Sequence, residues 1–341
     1  MRHTYPRIQC ALMPILAICA FALLATPAIA KDKVVQLRVL TPGGALTDNS
    51  SFVTGTESLK ADRKAKCFFG GTGGSGEKVT LPGATALGTV ISATDNVSAV
   101  NPVSVTDEFG FGLGVCGFGK AEADGNAGES WGAKVNERDL SVGGDQAKVR
   151  NGDTVTWFLA APQPPDYAYP SELSLKPDSL RPGSGSVGVT VTSTNCSFDS
   201  GIGEYVCSKD PVLGAEVTGG TETVETDGDG MAMVEGSDVA KLKASLDGSL
   251  PARPSTVCFK ANVSQCPRQA TKIVGRDVGD DFRAQKGADD VFSHGGADRI
   301  DLRSGGSDHV NCGPGKDTVI VAKKDRNDKI ARSCEKVIRR G

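Results

Sequence analysis

A repeat near the end of the chain decides the fold of its last segment. Residues 280–319 read DDFRAQKGADDVFSHGGADRIDLRSGGSDHVNCGPGKDTV. An aspartate followed two residues later by an apolar residue recurs every nine or ten residues, and glycine precedes most of these aspartates. A short fixed period predicts stacked β-turns, so we expect a short β-roll over residues 271–341. The repeated pairs are Asp280/Phe282, Asp289/Val291, Asp298/Ile300, Asp308/Val310 and Asp317/Val319.

This repeat resembles the hemolysin-type (RTX-like) calcium-binding nonapeptide family. Residues 312–319 match its pattern G-G-x-G-x-D-x-U, except that Cys312 stands at the first glycine. The resemblance implies that two repeats make one turn, so that aspartates two repeats apart lie on the same side. Calcium prefers oxygen ligands, which carboxylates and turn carbonyls supply. We therefore expect calcium as a cofactor, with these ligands: Asp280, Asp289, Asp298, Asp308 and Asp317.

A stack without metal is the alternative for this segment. The turn glycines are incomplete, with Val278 and Arg303-Ser304 at positions where such turns prefer glycine. Lys316 and Arg299 are candidates to neutralise the acids in place of a cation. The apolar members of the repeat and a Cys312–Cys334 bridge would then hold the stack together.

Residues 1–30 have the pattern of a secretory signal peptide. Arg2 and Arg7 precede an apolar stretch over residues 11–25, and Ala28-Ile29-Ala30 is a small-x-small cleavage site. Proline interrupts the apolar stretch, which is short for a membrane span. We expect a secreted, extracellular or cell-surface protein with no membrane span after cleavage.

Eight cysteines remain beyond the predicted signal peptide. An even number in an exported chain indicates disulfides, and eight cysteines allow 105 pairings. No C-x-x-C or zinc-type Cys/His spacing occurs. The cysteines fall into sequential pairs, each within one segment, and we expect these bridges: Cys67 with Cys116, Cys196 with Cys207, Cys258 with Cys266, and Cys312 with Cys334.

Residues 31–161 predict an α+β module. Residues 34–40, 131–135 and 154–159 have strand patterns, and residues 84–99 form the one good helix candidate. Three stretches, 82–87 (PGATAL), 130–136 (SWGAKVN) and 151–157 (NGDTVTW), resemble the transcobalamin-like C-terminal domain family. The resemblance implies a β-grasp-like fold, in which transcobalamins help to enclose a corrinoid. Trp131 and Trp157 are the candidate ligand-binding residues, because their rings could stack on a planar ligand. Such residues are more often core aromatics of a small domain, and this is the interpretation we favour.

Residues 162–270 predict a β-sandwich. A Pro-rich linker opens this segment, and short strand patterns then recur at intervals near ten residues between turn signals. The stretches 214–217 (GAEV) and 226–230 (TDGDG) resemble an immunoglobulin-like (Ig-like) domain. The chain as a whole is therefore expected to be mainly β, with one α+β module, a sandwich and a β-roll.

Composition excludes several function classes. The mature chain carries 36 basic and 41 acidic residues, so nucleic acid is not an expected partner. Only two mature histidines occur, and no nucleophile motif is present, so we expect no catalytic residue and no enzyme. The preferred function is a non-enzymatic binding or interaction protein whose partner is an extracellular protein or small ligand. The alternative is a small-molecule, corrinoid-like carrier that uses the β-grasp domain.

Overall fold

The computed structural model describes residues 32–68, 70–161, 169–183 and 185–340, so the predicted signal peptide lies outside the described residues. Strands dominate these residues, and one short α-helix accompanies them, which confirms the expected mainly-β class. We call residues 32–161 the first segment, 169–270 the second segment and 271–340 the third segment.

The first segment forms a mixed sheet with the helix on one face. Strand β1 pairs antiparallel with β2 and parallel with β10, which continues through β8 to β9. Alternate residues of β1 (Val35, Leu37 and Val39) join the core beneath the helix. The elements are β1 (Lys33–Thr41), β2 (Gly44–Thr54), β3 (Glu57–Lys60), β4 (Lys78–Leu81), α1 (Ala86–Ala93), β5 (Val103–Thr106), β6 (Gly114–Phe118), β7 (Ala121–Glu122), β8 (Ser130–Val135), β9 (Arg138–Asp139) and β10 (Thr154–Ala160).

The helix is shorter than the predicted range of 84–99. Thr85 caps its start, because the side-chain oxygen accepts a hydrogen bond from the backbone N–H of Gly88 at 3.0 Å. At the other end, the Thr94 hydroxyl donates to the carbonyl of Ile91 at 2.8 Å. Polar residues that bond to nearby backbone groups compete with helix propagation, and Asp95 and Asn96 follow directly. The apolar pattern alone did not show this stop.

The second segment is a sandwich of two four-stranded sheets. One sheet has the order β11-β12-β13, with β16 pairing along β12, and the other has the order β15-β14-β17-β18. Buried aliphatic residues from both sheets form its core, together with Phe259. The strands are β11 (Glu172–Pro177), β12 (Gly185–Asp199), β13 (Glu204–Pro211), β14 (Glu216–Thr218), β15 (Val224–Glu225), β16 (Met231–Gly236), β17 (Val239–Ser245) and β18 (Ser255–Cys258).

The third segment is a parallel β-solenoid of four coils, as the repeat predicted. Each coil contributes one strand to each of two facing sheets, and the repeated apolar side chains point inward. The strands are β19 (Ala270–Val274), β20 (Asp281–Arg283), β21 (Ala288–Phe292), β22 (Arg299–Asp301), β23 (His309–Asn311), β24 (Thr318–Ala322), β25 (Lys329–Ile330) and β26 (Lys336–Arg340). The buried interior includes Phe282, Val291, Ile300, Val310 and Val319.

The solenoid is built directly onto the first segment. Strand β19 pairs parallel with β2, so one nine-stranded sheet runs from β9 through β1 and β2 to β25. Val34 and Val53, on the face of β1 and β2 opposite the helix, are fully buried in the solenoid core. The first segment therefore closes the start of the solenoid and covers apolar residues that would otherwise face water.

Polar contacts join the first and second segments. The buried guanidinium of Arg38 on β1 lies 2.5 Å from a carboxylate oxygen of Glu172 on β11. At the β8–β9 turn, Glu137 adopts a positive φ of 69°, a backbone conformation that favours glycine. Its carboxylate accepts hydrogen bonds from Thr194 at 2.8 Å and Lys209 at 2.9 Å. The unfavourable backbone conformation thus places a carboxylate against the sandwich.

Four disulfides join the pairs expected from the sequence: Cys67–Cys116, Cys196–Cys207, Cys258–Cys266 and Cys312–Cys334. Each lies within one segment, so none crosses the Pro-rich linker. Among the described residues, no helix is long and apolar enough to span a membrane.

Candidate metal centre

Aspartates of alternate repeats are linked along one side of the solenoid. The backbone N–H of Asp280 donates to Oδ1 of Asp298 at 2.9 Å, and that of Asp298 donates to Oδ1 of Asp317 at 2.8 Å. The N–H of Asp317 then donates to Oε2 of Glu335 at 2.8 Å. We call these four residues the first ladder. Each carboxylate thus bonds to the coil before it.

The same arrangement occurs on the other side of the coils. The backbone N–H of Asp289 donates to Oδ1 of Asp308 at 2.9 Å, and that of Asp308 donates to Oδ1 of Asp328 at 3.0 Å. We call these three residues the second ladder. Although the spacing between repeats varies, every bond of the ladder is formed. The turns therefore absorb the extra residues, and the register of the strands is kept.

Glycine at two turn positions lets adjacent coils approach closely, because a Cβ atom at either position would collide with the preceding coil. A Cβ atom at Gly315 would lie 1.6 Å from the carbonyl oxygen of Gly296 in the preceding coil. At Gly306, a Cβ would lie 1.8 Å from the carbonyl oxygen of Gly287. Any larger residue would force adjacent turns apart. The ladder bonds depend on this spacing, because the turns directly precede the aspartates.

Carboxylate oxygens of both ladders are buried without a partner. All five predicted aspartates are at most 2% exposed. Among the described residues, both oxygens of Asp289 and one oxygen each of Asp298, Asp308, Asp317 and Asp328 accept no hydrogen bond of ordinary geometry. A buried carboxylate normally has its oxygens satisfied by donors or a cation. These positions are therefore oxygen-rich sites at which several carboxylate oxygens lack a well-formed hydrogen bond.

The electrostatics of the ladders oppose ionisation. Burial raises the pKa of Asp289 to about 7, and the nearby carboxylate of Asp308 adds to this rise. Burial likewise raises the pKa of Asp298 and of Asp308 to about 6, and it raises that of Asp328. A bound proton or a bound cation would relieve the same cost.

Asp280 differs from the other ladder aspartates, because Arg276 contacts both of its carboxylate oxygens. The Arg276 guanidinium lies 2.6 Å from Oδ1 of Asp280, and the Arg276 backbone N–H donates to Oδ2 at 2.9 Å. The same guanidinium pairs with Asp32 and Glu57 of the first segment, each at 2.9 Å. Of the five predicted ligands, Asp280 is thus held by an ion pair. Arg299, which the sequence offered as a neutralising group, instead pairs with Asp281 at 3.0 Å.

The remaining aspartates form two pairs across adjacent coils. These are Asp289 with Asp308 and Asp298 with Asp317, both of which the repeat spacing predicted. In the described parts of the chain, no group of three or more His, Cys, Asp or Glu side chains is placed to hold a metal. A cation at either pair would therefore take its other oxygens from backbone carbonyls or water, both of which calcium accepts.

The two predicted ligand-binding tryptophans lie in the core of the first segment. Trp131 is 8% exposed and packs edge-to-face on Phe118, with ring centroids 4.6 Å apart. Trp157 is 3% exposed, and its indole N–H donates to the carbonyl of Ala86 at 3.2 Å. A small groove of about 210 Å³ borders both rings. These contacts support the core role that the sequence analysis favoured.

Three residues that complete the ladders were absent from the predicted ligand set. Asp328 follows the repeat pattern after a longer gap, so its spacing was a usable signal. Glu335 takes the place of an aspartate at the end of the first ladder, and Arg276 neutralises its beginning. Nothing in the repeat distinguishes Arg276 from other arginines, because its partners Asp32 and Glu57 are more than 200 residues away in the chain.

No family model, curated protein or solved structure matches this chain. The similarity to calcium-binding repeats, to transcobalamin-like domains and to Ig-like domains is thus carried by the quoted motifs alone.

Proposed function

We propose that the protein is a non-enzymatic, exported interaction protein whose solenoid binds calcium. The observation that supports calcium most directly is the set of buried, unpartnered carboxylate oxygens on adjacent coils. Calcium is a hard cation that takes six to eight oxygen ligands. Between Asp289 and Asp308, and between Asp298 and Asp317, it would replace the missing donors and remove the repulsion between stacked carboxylates.

Asp298, Asp308 and Asp317 each contribute one carboxylate oxygen to a backbone N–H of the preceding coil. The second oxygen is left for the cation, so binding and stacking do not compete. Two carboxylates per site, with carbonyls or water as the other ligands, favour a modest affinity. We expect a dissociation constant in the range of extracellular calcium modules, about 10⁻⁴–10⁻³ M.

Isothermal titration calorimetry on the full mature chain, first treated with chelator, tests this proposal. We expect heat of binding, and a rise in melting temperature at millimolar calcium that chelator reverses. Magnesium serves as the comparison cation, since it prefers octahedral geometry and keeps its waters. If calcium gives neither heat nor a thermal shift at about ten times the expected dissociation constant, the metal-free stack is correct.

A matched pair of variants locates the site. Asp308→Asn removes one charge from the second ladder but keeps a side-chain oxygen that can accept the bond from Asp289. The control, Asp277→Asn, removes a charge from the same solenoid, at an exposed residue outside the ladders. We expect calcium affinity to fall at least about tenfold in Asp308→Asn and to change little in Asp277→Asn. Equal effects in both variants would contradict the assignment to the ladder.

Export is supported by the four disulfides, since such bonds form and persist in oxidising compartments. The interaction role is supported by the architecture. The solenoid continues the sheet of the first segment, and the sandwich contacts that segment through the Arg38–Glu172 ion pair. We propose no reaction for this protein. A chain produced in an oxidising compartment should contain no free thiol when treated with a thiol reagent under denaturing conditions.

A small-molecule carrier is the second candidate function. A cleft of about 1310 Å³ lies between the sheet of the first segment and the second segment, bordered by Phe158, Tyr169 and Leu250. This volume exceeds the roughly 300–1,000 Å³ typical of small-molecule sites, whereas the groove beside Trp131 is below it. A corrinoid should raise the melting temperature if this function is correct. No shift at saturating corrinoid would exclude it.

A further inference from the structure

The last coil of the solenoid is strongly basic in an otherwise acidic protein. Residues 323–341 carry eight basic and three acidic residues, whereas residues 31–322 carry 28 basic and 38 acidic residues. All eight cations are exposed, and none forms an ion pair within the described residues. We call them the basic rim: Lys323, Lys324, Arg326, Lys329, Arg332, Lys336, Arg339 and Arg340.

The acids of this coil do not neutralise the basic rim. Asp328 and Glu335 accept backbone hydrogen bonds from the preceding coil, at 3.0 Å and 2.8 Å. Asp325 accepts the backbone N–H of Asn327 at 2.9 Å, within its own turn. The ladders thus engage Asp328 and Glu335 in backbone hydrogen bonds, and three acids on this coil leave an excess of five cations at its surface.

The basic rim surrounds the end of the solenoid. Lys329 lies on β25 in one sheet, and Lys336 lies on β26 in the opposite sheet. The other cations follow the connections between strands or the end of β26. Since one coil encircles the solenoid axis, positive charge is distributed around the coil and does not follow a single line along the molecule.

Two apolar side chains lie inside this rim, of which Ile330 is half-buried against the solenoid core and Val337 is exposed. Ile330 pairs with the buried Val310, and Val337 pairs with the buried Val319, so both continue columns of the solenoid core. No further coil covers them among the described residues, and Val337 is 44% exposed. The end of the solenoid is thus an apolar centre surrounded by cations.

We propose that this end docks on an anionic lipid surface. A planar array of headgroups matches cations arranged around a coil, whereas a single linear polyanion matches a row of cations. Each lysine or arginine near an anionic membrane contributes about 1 kcal/mol. Ile330 and Val337 would contact the interfacial region, and the net negative remainder of the chain would point away from the membrane. The proposal does not depend on calcium binding.

Sedimentation with vesicles tests this proposal on the full mature chain. Vesicles contain phosphatidylcholine mixed with phosphatidylglycerol, or phosphatidylcholine alone, and chelator prevents calcium from bridging acids to headgroups. We expect binding only to the anionic vesicles. Raising the salt from about 0.1 M to about 1 M should abolish it, because the screening length falls from about 10 Å to about 3 Å. Equal binding to both vesicle types would overturn the proposal.

A charge-reversal variant and a matched control test the surface itself. The triple variant Lys324→Glu, Arg332→Glu, Lys336→Glu should lower the vesicle partition coefficient at least about 100-fold, since each cation contributes about fivefold. The control Lys64→Glu, Lys120→Glu, Lys176→Glu makes the same charge change at exposed sites of the other segments and should retain more of the binding. A control that loses as much as the test variant would show a general charge effect and overturn the assignment.

Two further measurements keep the test decisive. If the glutamate variant does not fold, the same three residues are replaced by glutamine, and we expect a smaller loss in the same direction. A soluble polyanion, dextran sulfate, is the competing partner class. Tight binding to dextran sulfate without binding to anionic vesicles would overturn the proposal in favour of a polymer partner.

Discussion

At the scale of single residues, the two tryptophans show how the same residue type supports two interpretations. A tryptophan in a β-rich module can stack on a ligand or fill the core, and the sequence favours the core only as the more common of the two roles. The structure buries both side chains and places Phe118 against both rings, at 4.6 Å from Trp131 and 5.3 Å from Trp157. The aromatic cluster therefore stabilises the packing between sheet and helix.

Replacing Trp131 by alanine tests this role. We expect the free energy of unfolding to fall by about 3–5 kcal/mol, because a large buried side chain is lost and a cavity remains. Phe111→Ala is the control, since Phe111 is 73% exposed and should contribute about 0.5 kcal/mol or less. Urea denaturation followed by far-UV circular dichroism measures both. A stable Trp131→Ala variant would favour the ligand-binding role.

At the scale of elements, the ladders make the solenoid sensitive to pH. The carboxyls of Asp289, Asp298 and Asp308 have folded-state pKa values of about 6–7, above the value of about 4 expected in the unfolded chain. The folded state therefore binds more protons than the unfolded state between these values. Stability from this source is present below about pH 4 and is lost as the pH rises through about 7.

The expected result depends on calcium. In chelator, the urea midpoint of the solenoid should fall as the pH rises from about 4 to about 7. In millimolar calcium, the loss should be largely prevented near pH 7–8, because the cation binds the ionised carboxylates. A double variant, Asp298→Asn with Asp308→Asn, should reduce the pH dependence in chelator, and the part that remains belongs to Asp280 and Asp289, whose pKa values burial raises to about 7. The same slope in this variant and in the unchanged protein would assign the effect to other groups.

At the scale of the whole molecule, Arg276 connects the solenoid to the first segment. Its guanidinium contacts Asp32, Glu57 and Asp280 while it is itself 11% exposed. Breaking a buried ion pair leaves an uncompensated charge, which costs about 3–5 kcal/mol. The first coil is therefore held both by backbone pairing with β2 and by this charged group.

The variant Arg276→Gln tests this connection. We expect a loss of about 3 kcal/mol in the free energy of unfolding. Arg283→Gln is the matched control: it removes an arginine from the buried Asp301, which keeps a second partner in Arg303 at 2.8 Å. The control should lose about 1 kcal/mol or less, because Arg283 is half exposed. Similar losses in both variants would show that the link to Asp32 and Glu57 is unimportant.

The repeat by itself determined much of the third segment. A fixed period with one aspartate and one apolar residue predicts stacked turns with the apolar side chains inward. The resemblance to nonapeptide repeats adds that alternate aspartates meet, and the ladder bonds confirm those pairs. The cysteine order likewise predicted the four bridges. These features are local: each depends on spacing over a few coils or within one segment, where the chain geometry leaves few alternatives.

Tertiary structure alone decided how the segments are joined. The pairing of β19 with β2, the burial of Val34 and Val53 in the solenoid core, and the Arg276 cluster involve residues more than 200 positions apart. The sequence does not indicate which face of β1 and β2 packs on the helix and which packs on the solenoid, because valine is equally suited to both cores. Which apolar face meets which element depends on the packing of the whole chain, and periodicity carries no information about it.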